Sequence, residues 1–196
     1  MEFEKDKLFW MHMPADAAVE EGRVRIVTEP GTDLWQRTYY GFRNDNAPML
    51  LLRLEERFFS FTVRTEYEAA HRFDQCGVVL YQDAENWLKA SVEYENEAVS
   101  RLGSVVTNGG YSDWATTDIP TEKPCVRYYR LSRRESDFLV ESSADGETYA
   151  QMRVAHLCAG GGAVNVGLYA CSPEQSSFPA LFTGMALAEC QWKMHA

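Results

Sequence analysis

Two runs of alternating character, Gln75 to Tyr81 and Trp87 to Tyr94, flank the polar segment Gln82-Asp83-Ala84-Glu85-Asn86, and this pattern predicts a β-hairpin. Successive side chains in a strand point to opposite faces. Cys76, Val78 and Leu80 therefore share one face of the first run, and Leu88, Ala90, Val92 and Tyr94 one face of the second, both suited to a core. The opposite faces carry Gln75, Gly77, Val79 and Tyr81, then Trp87, Lys89, Ser91 and Glu93. An amide, a phenol, an indole, an ammonium and a carboxylate on one surface of a core hairpin read as recognition chemistry.

The same reading along the chain predicts strands at Arg23 to Thr28, Leu34 to Thr38, Met49 to Leu54 and Phe58 to Thr65. Further strands are expected at Ser100 to Thr107, Cys125 to Ser132, Asp137 to Ser142, Thr148 to Val154, Val164 to Cys171 and Ala180 to Trp192. Asn108-Gly109-Gly110 signals a turn, with Tyr111-Ser112-Asp113-Trp114 in that loop or just beyond it. Ser143-Ala144-Asp145-Gly146 suits a tight hairpin, because glycine takes positive φ at little cost. Only Asp16 to Arg23 and Pro173 to Ser177 hold room for a turn of helix. Short strands without βαβ alternation imply an all-β antiparallel sandwich or jelly roll, expected as a single domain over residues 1–196.

Composition narrows the function classes. The net charge of −10 supplies no basic stripe for a phosphate backbone, so nucleic acid is not an expected partner, and an anionic membrane surface would repel the chain. No apolar stretch approaches the ~20 residues of a membrane helix, and the N-terminus lacks the pattern of a secretory signal. The five cysteines, Cys76, Cys125, Cys158, Cys171 and Cys190, show no Cys-x-x-Cys pair, and each reads as a buried, reduced thiol of a cytoplasmic protein. His12, His71, His156 and His195 are isolated, and Asp74, Asp83 and Asp113 are dispersed, so no metal or other cofactor is expected.

Six blocks in order carry a resemblance: Thr32-Asp33-Leu34-Trp35; Asp74-Gln75-Cys76-Gly77-Val78; Trp87 through Glu93; Ser104 to Thr107 with Ser112-Asp113-Trp114; Ser143 to Gly146; and Val166 through Pro173. From about Trp10 to Phe182 the chain resembles the domain-of-unknown-function 1349 family, which includes a fungal regulator of enolase and is placed among the concanavalin A-like lectins and glucanases. The resemblance implies a jelly roll of two packed antiparallel sheets, with a ligand across the concave one. It implies no reaction, since fold does not fix function.

On that fold the candidate ligand-binding residues are Asp33, Trp35, Gln75, Tyr81, Trp87, Lys89, Glu93, Ser112, Asp113 and Trp114. Aromatic faces beside amides and carboxylates suit a small saccharide or sugar derivative. The related glucanases carry Glu-x-Asp-x-Glu, whereas this chain reads Glu93-Tyr94-Glu95-Asn96-Glu97 and lacks the middle acid. Glu95 and Glu97 are expected in water, and Glu93 is expected either to pair with Lys89 or to act as a catalytic acid. A carbohydrate-binding protein is the leading expectation. The alternatives are a glycoside hydrolase-like enzyme using Glu93 with Asp113 or Asp33, and a protein-interaction regulator of central carbon metabolism.

Overall fold

The computed structural model describes residues 5–193, so His195 lies outside the described residues. With strands numbered in chain order, one seven-stranded antiparallel sheet runs β1 (Leu8–Met11), β6 (Met49–Leu54), β15 (Val164–Cys171), β8 (Gln75–Asp83), β9 (Asn86–Tyr94), β10 (Val99–Asn108), β11 (Tyr111–Pro120). The second runs β14 (Ala150–His156), β13 (Asp137–Ser143), β12 (Cys125–Arg134), β7 (Phe58–Tyr67), β16 (Pro179–Ala188), β3 (Arg23–Val27), β2 (Ala17–Glu20). β4 (Leu34–Gln36) and β5 (Arg43–Asp45) form a separate two-stranded ribbon. The architecture is the expected jelly-roll sandwich, and no helix among the described residues is long and apolar enough to cross a membrane.

The inter-sheet core follows side-chain alternation. Phe59, Phe61 and Val63 of β7 meet Cys76, Val78 and Leu80 of β8 and Leu88, Ala90 and Val92 of β9, all essentially buried. Fully burying each of the larger of these side chains is worth about 1.5–3 kcal/mol. β6 differs, since Leu50, Leu52 and Leu54 enter this core while Met49 and Leu51 enter a second apolar cluster on the far face of the same sheet. That far face is covered by Leu34, Trp35 and Ala47 from the ribbon segment. The unbroken apolar run Met49 to Leu52 is thus a strand covered on both sides.

Several expected boundaries move. Residues 111–120 form a full edge strand and not a loop, paired with β10 from Tyr111 opposite Asn108 to Pro120 opposite Val99. Its Thr116, Thr117 and Asp118 are exposed, so it lacks the apolar alternation by which strands are recognised. Residues 17–20 are a strand pairing with β3, and 173–177 contain no helix. Asp145-Gly146 does turn the chain between β13 and β14, with Gly146 at φ 80°, but inside a longer connection. Asp145 Oδ1 accepts from the backbone N–H groups of Thr148 and Glu147, both at 2.8 Å. Those bonds hold the Asp145 carboxyl down at about 2.

Candidate functional site

A hollow of about 320 Å³ opens on the outer face of the first sheet, above β8, β9 and β10. Its floor is set by register. Gln75 lies opposite Glu93, and Arg101, Gly103 and Val105 lie opposite Glu93, Ser91 and Lys89, so odd-numbered residues of all three strands share this face. Val105 in turn lies opposite Trp114 of β11, which forms a wall. The remaining walls come from Asp33, Trp35, Tyr40, Phe42 and Asn44 on one side and from Phe73, Pro173 and Glu174 on another.

Two polar groupings occupy the floor. In the first, Lys89 Nζ sits 3.2 Å from Asp33 Oδ1, with the two side chains only 6% and 14% exposed. Tyr169 and Trp87 present ring faces to the ammonium at 5.6 and 6.0 Å. Burial is the largest influence and works to lower the Lys89 pKa, but the charge and hydrogen bond of Asp33 together with the charges of Cys171 and Glu93 outweigh it, and the group stays protonated above its ordinary range. Asp33 is itself fixed, its Oδ1 also accepting from the Leu34 N–H at 2.7 Å.

The second grouping centres on Gln75. Its Oε1 accepts from Tyr169 Oη at 2.9 Å and Ser91 Oγ at 3.3 Å, which orients the amide. Its Nε2 then donates to Glu93 Oε2 at 2.8 Å and to the Phe73 carbonyl at 3.1 Å. Glu93 Oε1 is shielded from solvent and has no partner. Among the residues lining the hollow, Glu93 alone carries such an atom. Burial pushes the Glu93 carboxyl up to about 7, with Lys89 and Arg101 only partly opposing it.

The structure brings together Asp33, Trp35, Gln75, Lys89, Glu93 and Trp114 of the expected site. The others lie elsewhere. Tyr81 and Trp87 share the face but are sealed in the second apolar cluster, Tyr81 4% and Trp87 0% exposed. The Tyr81 hydroxyl donates to Asp45 at 2.9 Å and the Trp87 indole to the Ala84 carbonyl at 3.3 Å. Ser112 is buried under β4, accepting from the Gln36 N–H at 2.9 Å. Asp113 lies opposite Val106, a core-facing position, so it projects from the other face of β11. There it is exposed and pairs with Arg153 at 2.5 Å, so Glu93 and Asp113 do not meet.

Two further expectations change. Lys89 pairs with Asp33 and not with Glu93, because the ribbon lays Asp33 over the floor. Glu95 is held by Arg72 at 2.6 Å and Arg101 at 3.5 Å and is largely buried, whereas Glu97 is exposed beside Lys123. Cys76, Cys125 and Cys171 are buried thiols, but Cys158 is exposed and Cys190 partly so. No group of three or more His, Cys, Asp or Glu side chains is placed to hold a metal among the described residues.

The alternation of β8 and β9 gave no sign of the flap from Arg37 to Phe42. Arg37, Tyr39 and Gly41 all have positive φ, at 56, 61 and 77°, and the loop lifts Tyr40 and Phe42 over the hollow with rings stacked 5.4 Å apart. Tyr40 also meets Trp35 edge-on at 5.5 Å. Glu85 Oε1 anchors both arms of the loop, 3.0 Å from Arg37 and 3.0 Å from Arg43. The available signal was the run Tyr39-Tyr40-Gly41-Phe42, three aromatics around a glycine. Arg101 and Gly103 follow from extending the alternation across to β10.

Comparison with known proteins bears out the resemblance. Residues 10–190 match the model for the family described as "Protein of unknown function (DUF1349)", and the chain belongs to that family. It is 29% identical over 178 residues to Regulation of enolase protein 1 of Saccharomyces cerevisiae, covering 91% of this chain and 87% of that protein. A crystal structure of a functionally unknown Saccharomyces cerevisiae protein superposes with TM-score 0.85 at 27% identity, over 94% of this chain and 97% of the other. The xylan beta-1,4-xylosidase from Bacillus halodurans C-125 shares the fold at TM-score 0.69 and 18% identity. This chain is covered to 96% in that match but spans only 40% of the xylosidase.

Proposed function

We propose that this member of the DUF1349 family is a carbohydrate-binding protein that holds a small saccharide or sugar derivative in the hollow above β8, β9 and β10. The observation that carries the reading is a cavity of about 320 Å³ with the Glu93 carboxyl at its floor and Trp35, Tyr40, Phe42 and Trp114 as its walls. Lys89 and Gln75 add fixed polar groups at the same floor, and aromatic walls suit the C–H faces of a sugar ring. The volume of about 320 Å³ is at the small end of the roughly 300–1,000 Å³ range of small-molecule pockets, which favours one or two sugar units over a long chain.

Hydrolysis finds less support. Glycosidases work with a pair of carboxyl groups. Here Asp33 is engaged by Lys89 and the Leu34 N–H, and Asp113 faces away, which leaves Glu93 without a free companion. A regulatory role through protein contact is the second reading, favoured by the name of the yeast relative and by Tyr39, 93% exposed at the tip of the flap.

A thermal-shift screen with mono- and disaccharides separates these readings. A ligand at 100 times its Kd adds about 2.7 kcal/mol, which for a chain of this size raises Tm by about 5–10 °C. That rise without product formation supports binding. Product formation lost in Glu93→Gln would establish the enzyme instead. No shift with any sugar, together with one stoichiometric protein partner in a pull-down, would establish the interaction role.

A further inference from the structure

The outer face of the first sheet is seven strands wide, yet it is not an open trough. On the side of β15 and β6 the outward residues Tyr169, Cys171, Met49 and Leu51 are wholly buried beneath Leu34, Trp35 and Ala47. The crossing chain is fastened there, with Thr32 N–H donating to the Ser172 carbonyl at 3.2 Å and Gly31 N–H to the Glu174 carbonyl at 3.3 Å. A ligand therefore meets a closed wall just beyond Gln75. On the other side only β10 and the edge strand β11 intervene, and the residues of β11 beyond Trp114 on this face, Thr116 and Asp118, are exposed. At Gly103 the Trp114 indole nitrogen and the Thr116 methyl lie 3.1 Å from where a Cβ would sit, so the indole rests on the β10 backbone and forms the sill of that passage.

Polar and aromatic groups are sorted along this axis. Lys89, Gln75 and Glu93 lie at the closed inner end, whereas Tyr40, Phe42 and Trp114 stand at the mouth, with Tyr40 50% and Phe42 45% exposed. Resting on the carbohydrate reading, we propose that the site takes the terminal unit of an oligosaccharide, entering across β10 and β11, and that Tyr40 and Trp114 form a second subsite for the adjoining unit. The closed end admits one chain terminus and rejects an internal stretch, because a through-running chain would have to pass Leu34 and Trp35. Hydroxyls of the terminal ring meet the polar floor, and the next ring lies against the aromatic mouth.

Titration calorimetry with β-1,4-linked xylose, glucose and mannose series, from monomer to hexamer, reads the proposal directly. In the series that binds, affinity rises about two- to twelvefold from monomer to dimer, as one added aromatic contact implies, and is then level to the hexamer. Tyr40→Ala and Trp114→Ala each weaken the dimer more than the monomer, so that the dimer's advantage is lost, and Tyr39→Ala changes neither. Binding to the corresponding polysaccharide scales with the number of chain ends per gram. Affinity that keeps climbing to the hexamer, polymer binding independent of chain ends, or a Tyr40→Ala variant that retains the dimer's advantage overturns end recognition while sugar binding stands. Absence of binding across all three series overturns the carbohydrate reading itself and the present inference with it.

Discussion

Replacing Asp33 by Asn leaves the Lys89 ammonium buried without its counter-charge, and the size of the effect follows from the site. Lys89 is 6% exposed in its side chain, so water cannot take over from the carboxylate. Removing one partner of a buried pair costs about 3–5 kcal/mol. The ring faces of Tyr169 and Trp87 meet the ammonium in parent and variant alike and cancel from the difference. The expected loss at neutral pH is therefore roughly 3–5 kcal/mol, or about 1.5–2.5 M in the urea midpoint for a slope near 2 kcal/mol/M. Lys89→Met costs less, about 1–2 kcal/mol, because Asp33 keeps its bond from the Leu34 N–H and a little solvent. The double variant returns to within about 1 kcal/mol of the parent, since two neutral groups leave nothing to desolvate.

The pH dependence has opposite signs in parent and variant. In the parent the Lys89 pKa is raised by folding, so its contribution is complete below the ordinary lysine range and is lost as pH rises through the raised value. Without Asp33, burial, the largest influence, is opposed only by Cys171 and Glu93 and lowers the pKa in the folded state. The deficit of Asp33→Asn is then full at neutral pH and shrinks toward pH 10 as the ammonium gives up its proton. Urea unfolding of the parent, both single variants and the double variant at pH 7 and pH 9.5 completes the cycle. An Asp33→Asn loss below about 1 kcal/mol, or one equal at both pH values, refutes the reasoning.

Two further predictions concern the same floor. Glu93, pushed up to about 7 by burial, favours the folded state fully below the ordinary glutamate range and loses that contribution as pH rises through 7, so Glu93→Gln should be the more stable protein at pH 8 by up to about 3 kcal/mol. Its advantage should vanish near pH 4.5, and equal stability at both pH values in urea titrations contradicts the assignment. Gly77→Ala should fail to fold or lose more than about 3 kcal/mol, because a Cβ at that position would come within 1.9 Å of the Ala90 carbonyl oxygen on the neighbouring strand. A soluble variant with the parent's circular dichroism and melting curve would show that the β8–β9 spacing is not as tight as described.

How far the site could be read in advance depended on which forces placed each residue. Alternation within β8 and β9 is dictated by covalent geometry, so Gln75, Lys89 and Glu93 could be assigned a common face from spacing alone. What parity does not say is what covers that face. Tyr81 and Trp87 obey the same alternation, yet the ribbon of β4 and β5 folds over them and converts them into core. The signal for that cover was present in Met49 to Leu52, an apolar run too continuous for a strand with one wet side. The face that Asp113 takes and the edge strand that carries it are not legible, for the converse reason. An exposed strand of Thr and Asp carries no apolar period, and its pairing is set by β10 rather than by its own sequence. The partner of Lys89 was missed because the contact to Asp33 spans 56 positions and depends on that same fold-over.

The structure of the protein soaked or co-crystallised with the tightest-binding saccharide of the calorimetric series tests the central claim most directly. A sugar ring in the hollow is predicted, with hydroxyls at about 2.6–3.2 Å from the Glu93 carboxyl and the Lys89 ammonium and a ring face against Tyr40 or Trp114. A saccharide bound at any other surface, with the space between Lys89, Glu93 and Trp114 left to solvent, would contradict it.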